Sequence, residues 1–315
     1  MLLRLPFFDE VEKAQNILIA GAGGGFDIFC GLPLYFALRS AGKNVSLGNL
    51  SFSNIAGSKA RFLTPSLAEV TADTVGYEGY FPELHLARWF RERGEEVPIY
   101  SFEKVGVRPI REGYEKLVDE LSLETIILVD GGTDSLMRGD EAGVGTPIED
   151  MASIMAVDEL AIPTKLLVCV GFGVDAFHGV CHAHFLEAVA DITRNDGFLG
   201  MWSLTRDMPE VQLYRQAADF VHRIMESHPS IVTSSILSAI EGHFGDHHTT
   251  YRTQNSKLFI NSLMTLMWCF QLRAVADRVL YPRTLAKTET VYDIQRIIEE
   301  FRYDVRKKPY EDLPM

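Results

Sequence analysis

The sequence predicts an α/β protein, a three-layer αβα arrangement around a mostly parallel, Rossmann-like sheet. Three observations carry this. Apolar strand-like runs alternate with helical patterns along the 315 residues, the order that lets helices cover both faces of one sheet. Residues 125–129 (TIILV) and 165–170 (KLLVCV) are nearly continuous apolar runs, as expected for strands buried on both faces. Three apolar runs also end alike, in glycines followed by an aspartate: ILIA-GAGGGFD, IILVD-GGTD and LLVCV-GFGVD.

In chain order, residues 16–20 form a strand and residues 21–25 its turn. Residues 32–38 read as a helix, with Pro33 in the first turn and Gly42 beyond the end, the expected asymmetry. A strand over 45–52 leads into polar loops over 53–62 and 65–80. A helix over 82–94, a strand over 97–100 and a helix over 111–121 follow. The strand at 125–129 opens a glycine-rich loop, 130–145, then a helix over 148–160. Beyond the strand at 165–170 come a helix over 181–194 and a strand over 197–204. Helices follow over 206–226 and 230–241, the second capped by Ser230 and stopped by Gly242. Residues 258–261 and 265–272 read as late strands, the second equally as a buried helix; 274–279 and 290–302 are helical. No linker or repeat divides the chain, so one α/β domain spans 1–315, more helical from about residue 205.

Composition narrows the partners. A net charge of −13 opposes a nucleic-acid backbone or an anionic membrane. The longest apolar run, 258–270, is broken by Asn261, Ser262 and Thr265 and is too short to span a bilayer. It also offers a surface for a homo-oligomer, although a buried core accounts for it equally well. The N-terminal apolar run is too short for a signal peptide. The four cysteines are far apart and form no CxxC pair, which predicts buried free thiols and a cytoplasmic location.

If the strands are parallel, the three glycine loops emerge on one carboxyl edge, where such sheets bind ligands. Glycine allows a positive φ or a close approach, and N–H groups at a helix start favour anions. Gly21, Gly23, Gly24, Gly25, Gly131, Gly132, Thr133, Ser135, Arg138, Gly171 and Gly173 are therefore the candidate ligand contacts. The competing reading makes each glycine set a tight turn and each aspartate a helix cap. No GxxxxGK[ST] is present, Phe26 stands where the dinucleotide pattern needs its third glycine, and no acid closes the second strand. An aspartate in a phosphate loop repels the phosphate unless a cation or a ligand hydroxyl intervenes. Asp27 and Asp134 are the candidate catalytic residues and Asp130 with Asp134 the candidate metal ligands, Mg²⁺ being the implied cofactor. Asp140 and Glu141 are possible additions, with Arg138 as a phosphate clamp. Asp175, His178 and His182 are secondary candidates; the two histidines are four apart, but Gly179 interrupts the helix that would align them. A second cluster, His243, Asp246, His247 and His248, reads as a solvated loop.

Three resemblances follow from these residues. GGTDS resembles the pyrophosphate loop of ATP pyrophosphatases, with Asp130 in place of its serine. GAG followed by GLPLYF is similar to the NAD loop of sirtuins, with a longer spacer and no zinc-ribbon cysteines. GAGGGFDIFCGLPLYFAL, VDGGTDSLMRGDE, GTPIEDM, LMTLMWCFQLRAVADR and TETVYDIQ together resemble the domain-of-unknown-function-1152 family over nearly the whole chain. That resemblance implies a Rossmann-like αβα fold and carries no catalytic roles. The expectation is an enzyme, a hydrolase or transferase, acting on a nucleotide or other phosphorylated small molecule. The alternatives are a sirtuin-like NAD or ADP-ribosyl site and a non-catalytic sensor or scaffold.

Overall fold

The structure, a computed structural model, describes residues 4–313, so the first three residues of the N-terminal apolar run lie outside the described residues. Nine strands form one sheet: β1 (Asn16–Gly21), β2 (Asn44–Leu50), β3 (Arg61–Thr64), β4 (Leu67–Val70), β5 (Ile99–Phe102), β6 (Thr125–Asp130), β7 (Thr164–Cys169), β8 (Phe198–Ser203) and β9 (Leu266–Gln271). Their order is β3-β4-β5-β2-β1-β6-β7-β9-β8. The central strands β5, β2, β1, β6 and β7 run parallel. Antiparallel strands close both sides, β4 on β5 and β9 on β7.

The helices are α1 (Pro6–Glu12), α2 (Asp27–Cys30), α3 (Leu32–Ser40), α4 (Pro82–Glu92), α5 (Val107–Leu121), α6 (Pro147–Asp158), α7 (His182–Arg194), α8 (Pro209–Ile224), α9 (Ile231–Ile240), α10 (Leu272–Ala276) and α11 (Val291–Asp304). Successive side chains of a strand point to opposite faces, and the core divides accordingly. Ile17, Ile19, Ile127 and Val129 pack with α1, α3, α4 and α8. Leu18, Ala20, Ile126 and Leu128 pack with α5, α6, α7, α10 and α11. The central strands are apolar at nearly every position because both faces are covered.

Two expectations change. The loops read over 53–62 and 65–80 contain the β3–β4 hairpin. Pairing with β5 holds β4 in place, and Leu67, Ala68 and Val70 are buried there. A four-residue strand broken by Glu69 has too short a pattern to show this. Residues 258–261 form no strand, only a bridge between Gly245 and Ile260. Asp246 accepts from the Leu258 N–H at 2.7 Å, and the Asn261 side chain caps a 3₁₀ turn over Ser262–Thr265. Residues 266–271 are β9, with Met267, Cys269 and Phe270 fully buried. All four cysteines are free and buried. Among the described residues no helix is long and apolar enough to cross a membrane.

Candidate metal centre

The strand order reverses between β1 and β6: the chain proceeds from β1 to β2 on one side and from β6 to β7 on the other. Open α/β sheets place their ligand crevice at such a point, beyond the carboxyl ends of the strands. Asp27 follows β1, Asp130 ends β6, Asp134 lies on the next turn, and Asp175 follows β7. Asp150 joins them from the first turn of α6. Asp150 is 0% exposed, Asp130 3%, Asp134 4% and Asp175 7%, while Asp27 is only partly buried.

Asp130, Asp134 and Asp150 each offer an oxygen within 4.8 Å of the other two. Asp130 accepts from the Ser135 hydroxyl at 2.5 Å. Asp134 accepts from the Thr146 N–H at 2.7 Å and the Thr146 hydroxyl at 2.9 Å. Asp175 accepts from the Thr133 N–H at 2.6 Å, and Asp27 from the Gly23 N–H at 2.7 Å. Asp150 has no partner on either oxygen. Two glycines make this convergence sterically feasible. A β-carbon on Gly23 would lie 2.8 Å from Asp150 Oδ1 and 2.9 Å from Asp27 Oδ2. Gly145 has φ +62° and passes so close to Asp134 that any side chain there would collide with it.

Burial raises the pKa of every carboxyl in the group, and repulsion from neighbouring carboxylates adds to it for Asp27, Asp130, Asp150 and Asp175. Burial pushes Asp27 up to about 7, opposed by the Gly23 N–H and reinforced by Asp134. Asp130 is held well above its ordinary value by burial and then by the charges of Asp134, Asp27 and Asp175. Asp150 is raised in the same way, by burial and then by Asp134, Asp130, Asp27 and Glu149. Burial also raises Asp175, reinforced by Asp134 and opposed by Thr133. Burial raises Asp134 as well, against the pull of Thr146 and His178. No lysine or arginine exerts a comparable pull on any of the five. A buried group of carboxylates without a counter-charge calls for protons or a cation.

The loop glycines face the protein's own groups. The Gly23 and Thr133 N–H groups bind aspartates, the Gly25 N–H binds the Leu50 carbonyl, and the Gly171 N–H binds the Met264 carbonyl. Gly21 pairs within the sheet as the last residue of β1, and Gly24 and Gly25 pack against the Phe52 ring. Gly132 lies against Asp175 and Gly173 against His182. None of Asp27, Asp134 and Asp175 stands at the cap position of its helical turn; Phe26, Thr133 and Gly173 do.

Arg138 is not placed as a phosphate clamp. It forms a two-pronged ion pair with Asp140 at 2.8 and 2.9 Å, while Glu141 accepts from the Arg138 and Gly139 N–H groups. His178 and His182 do not share a helix face. His178 ends a 3₁₀ turn and is exposed, whereas His182 opens α7 with Nε2 buried. The positive φ of Gly179, 82°, separates them.

Two participants were not singled out by residue type. Asp150 reads in sequence as an acid favoured in the first turn of a helix, after Pro147. Glu83 reaches the end of β2 from α4 and accepts from Asn49 Nδ2 at 2.7 Å, while that amide also donates to the Gly25 carbonyl at 2.9 Å. The signal for Asp150 was an acid-rich helix start after a glycine loop; Glu83 had no local signal beyond its place in the first turn of α4.

The inner carboxylates are closed over. One surface cavity at this edge lies beside Phe52, holds about 350 Å³, and is lined by Ser51, Phe52, Asn54, Glu103 and Lys104; another, of about 450 Å³, lies beyond β7 beside Phe172 and His182. Lys104 also pairs with Glu149, next to Asp150. Among known proteins, the family described as "Protein of unknown function (DUF1152)" matches residues 18–303. No curated protein and no solved structure matches the chain. The match takes in all three glycine–aspartate loops, the parallel core from Leu18 of β1 onward and all five carboxylates of the centre, and the chain therefore belongs to the DUF1152 family.

Proposed function

We propose that this chain is an enzyme, a hydrolase or transferase, that binds a divalent cation at Asp130, Asp134 and Asp150 and uses it to engage a phosphorylated small molecule. One observation supports this above the others: Asp150 is fully buried and unpartnered on both oxygens, facing two further carboxylates. An all-oxygen acidic site suits Mg²⁺ or Mn²⁺, which keep open positions for water and substrate phosphate. The cation resolves the electrostatic conflict of an acidic phosphate site. The phosphate reaches the ion past Asp27, the one partly exposed carboxylate of the five, and the remainder of the molecule, a nucleoside or another organic group, occupies the cavity beside Phe52. Asp27 is the partly exposed carboxylate of the group, suited to positioning an attacking hydroxyl or water.

The test is a thermal-shift series on protein stripped with EDTA. Mg²⁺ or Mn²⁺ is expected to raise Tm, and a panel of nucleotides and sugar phosphates to add a further shift only when the cation is present. Asp150→Asn is expected to abolish the cation response. A wild-type protein indifferent to both ions would rule the reading out.

A further inference from the structure

We propose that the centre holds two divalent cations, bridged by Asp150, with Asp130 and Asp134 completing the inner position and Asp27 the outer one. This rests on the cation reading above and deepens it.

The geometry of Asp150 is the first support. A carboxylate that ligates through one oxygen alone leaves the other stranded, and no donor reaches either oxygen of Asp150. The side chain lies between two sets of neighbours. On one side are Asp130 and Asp134, within 4.8 Å. On the other, Oδ1 and Asp27 Oδ2 both press on Gly23, 2.8 and 2.9 Å from the position a β-carbon would take. Glycine lets the two carboxylates approach this closely; a side chain there would collide with both.

Charge is the second support. Asp27, Asp130, Asp134, Asp150 and Asp175 meet at one sheet edge, and among the described residues no lysine, arginine or histidine forms an ion pair with any of them. One divalent ion would cancel fewer than half of five negative charges. Two would cancel all but one.

The third support is exposure. Asp27 is only partly buried while the inner carboxylates are closed, so the outer ion is the one nearer solvent. Paired ions about 3.5–4 Å apart clamp the attacking and leaving oxygens of a phosphoryl centre. The substrate class that fits is a phosphate ester or anhydride whose phosphoryl oxygens span both ions. Asp175, tied to the Thr133 N–H, acts as a positioning residue for the loop that carries Asp134.

Mn²⁺ titration of the EDTA-stripped full chain, followed by calorimetry and electron paramagnetic resonance, decides this. The expected result is two Mn²⁺ per chain, with the isolated-ion signal of the first equivalent replaced by a spin-coupled signal at the second. Asp27→Asn is expected to bind one ion, leaving the tighter site within about twofold. Asp150→Asn is expected to lose the coupled signal and weaken the tighter site by more than about 10-fold. One Mn²⁺ per wild-type chain with no spin coupling overturns the two-ion proposal and leaves the single-cation reading standing. No bound Mn²⁺ overturns both. The wild-type stoichiometry decides the matter even if a variant fails to fold, and near-UV circular dichroism identifies such a variant.

Discussion

A carboxylate with no donor in reach is unstable as a bare anion, and Asp150 must either hold a proton or meet a cation. The same holds in lesser degree for Asp130 and Asp175, whose hydrogen bonds only partly offset burial. The pH dependence follows with a definite sign. These groups have folded-state pKa values above the ordinary 3.8, so the native ion-free chain binds more protons than the unfolded chain once pH passes that value. Stability of the ion-free protein therefore falls as pH rises from the ordinary carboxylate range. Asp27 completes its share of that loss near pH 7. The expected observation is a Tm in EDTA that declines between about pH 5 and about pH 8, and a flatter profile in saturating Mn²⁺. Asp150→Asn is expected to raise Tm of the ion-free protein by roughly 2–6 °C at neutral pH, because it removes the charge and keeps the shape. A Tm in EDTA that climbs with pH over this window would contradict the assignment. At this scale the aspartates on the glycine loops were legible from residue type and spacing. Asp150 was not, because an acid in a first helical turn looks the same whether it serves the helix dipole or a metal.

The elements that carry these residues differ in what holds them. The Ser230 side chain accepts from the Thr233 N–H at 3.1 Å and starts α9. That helix lies over the crevice, with Val232 against Gly131 and Ile236 against Gly171. Ser230→Ala is expected to cost about 1 kcal/mol in denaturant unfolding and to leave Mn²⁺ affinity unchanged. Gly145→Ala is expected to do the reverse. It places a side chain at φ +62° against Asp134, costs about 1–3 kcal/mol of strain, and displaces a metal ligand, so Mn²⁺ binding is lost along with part of the stability. Measuring unfolding and Mn²⁺ titration on both variants separates support of the helix from support of the site; equal effects on Mn²⁺ would refute the placement of Asp134. The long elements were legible because a helix with capping residues and a strand covered on both faces leave strong local patterns. The hairpin of β3 and β4 was not, since its stability comes from pairing with β5.

Across the whole molecule, the parallel centre is sheltered by helices on both faces while β3 is a short edge strand with exposed residues. Hydrogen exchange should therefore be slowest in β1, β6 and β7 and fastest in β3, with the carboxylate loops gaining protection when Mn²⁺ is added. Loops whose exchange ignores Mn²⁺ would place the ion elsewhere. Periodicity and turn chemistry are local properties, and they sufficed to specify an αβα protein, most of its strands and helices, and glycine–aspartate loops after β1, β6 and β7. The closure of Asp27, Asp130, Asp134, Asp150 and Asp175 into one group depends on the strand order, which reverses between β1 and β6. It depends equally on α6 packing so that its first turn faces that edge. Those are contacts between residues far apart in the chain. No local pattern encodes them, and only the folded sheet shows that the loops' N–H groups serve aspartates and that Asp130, Asp134 and Asp150 converge.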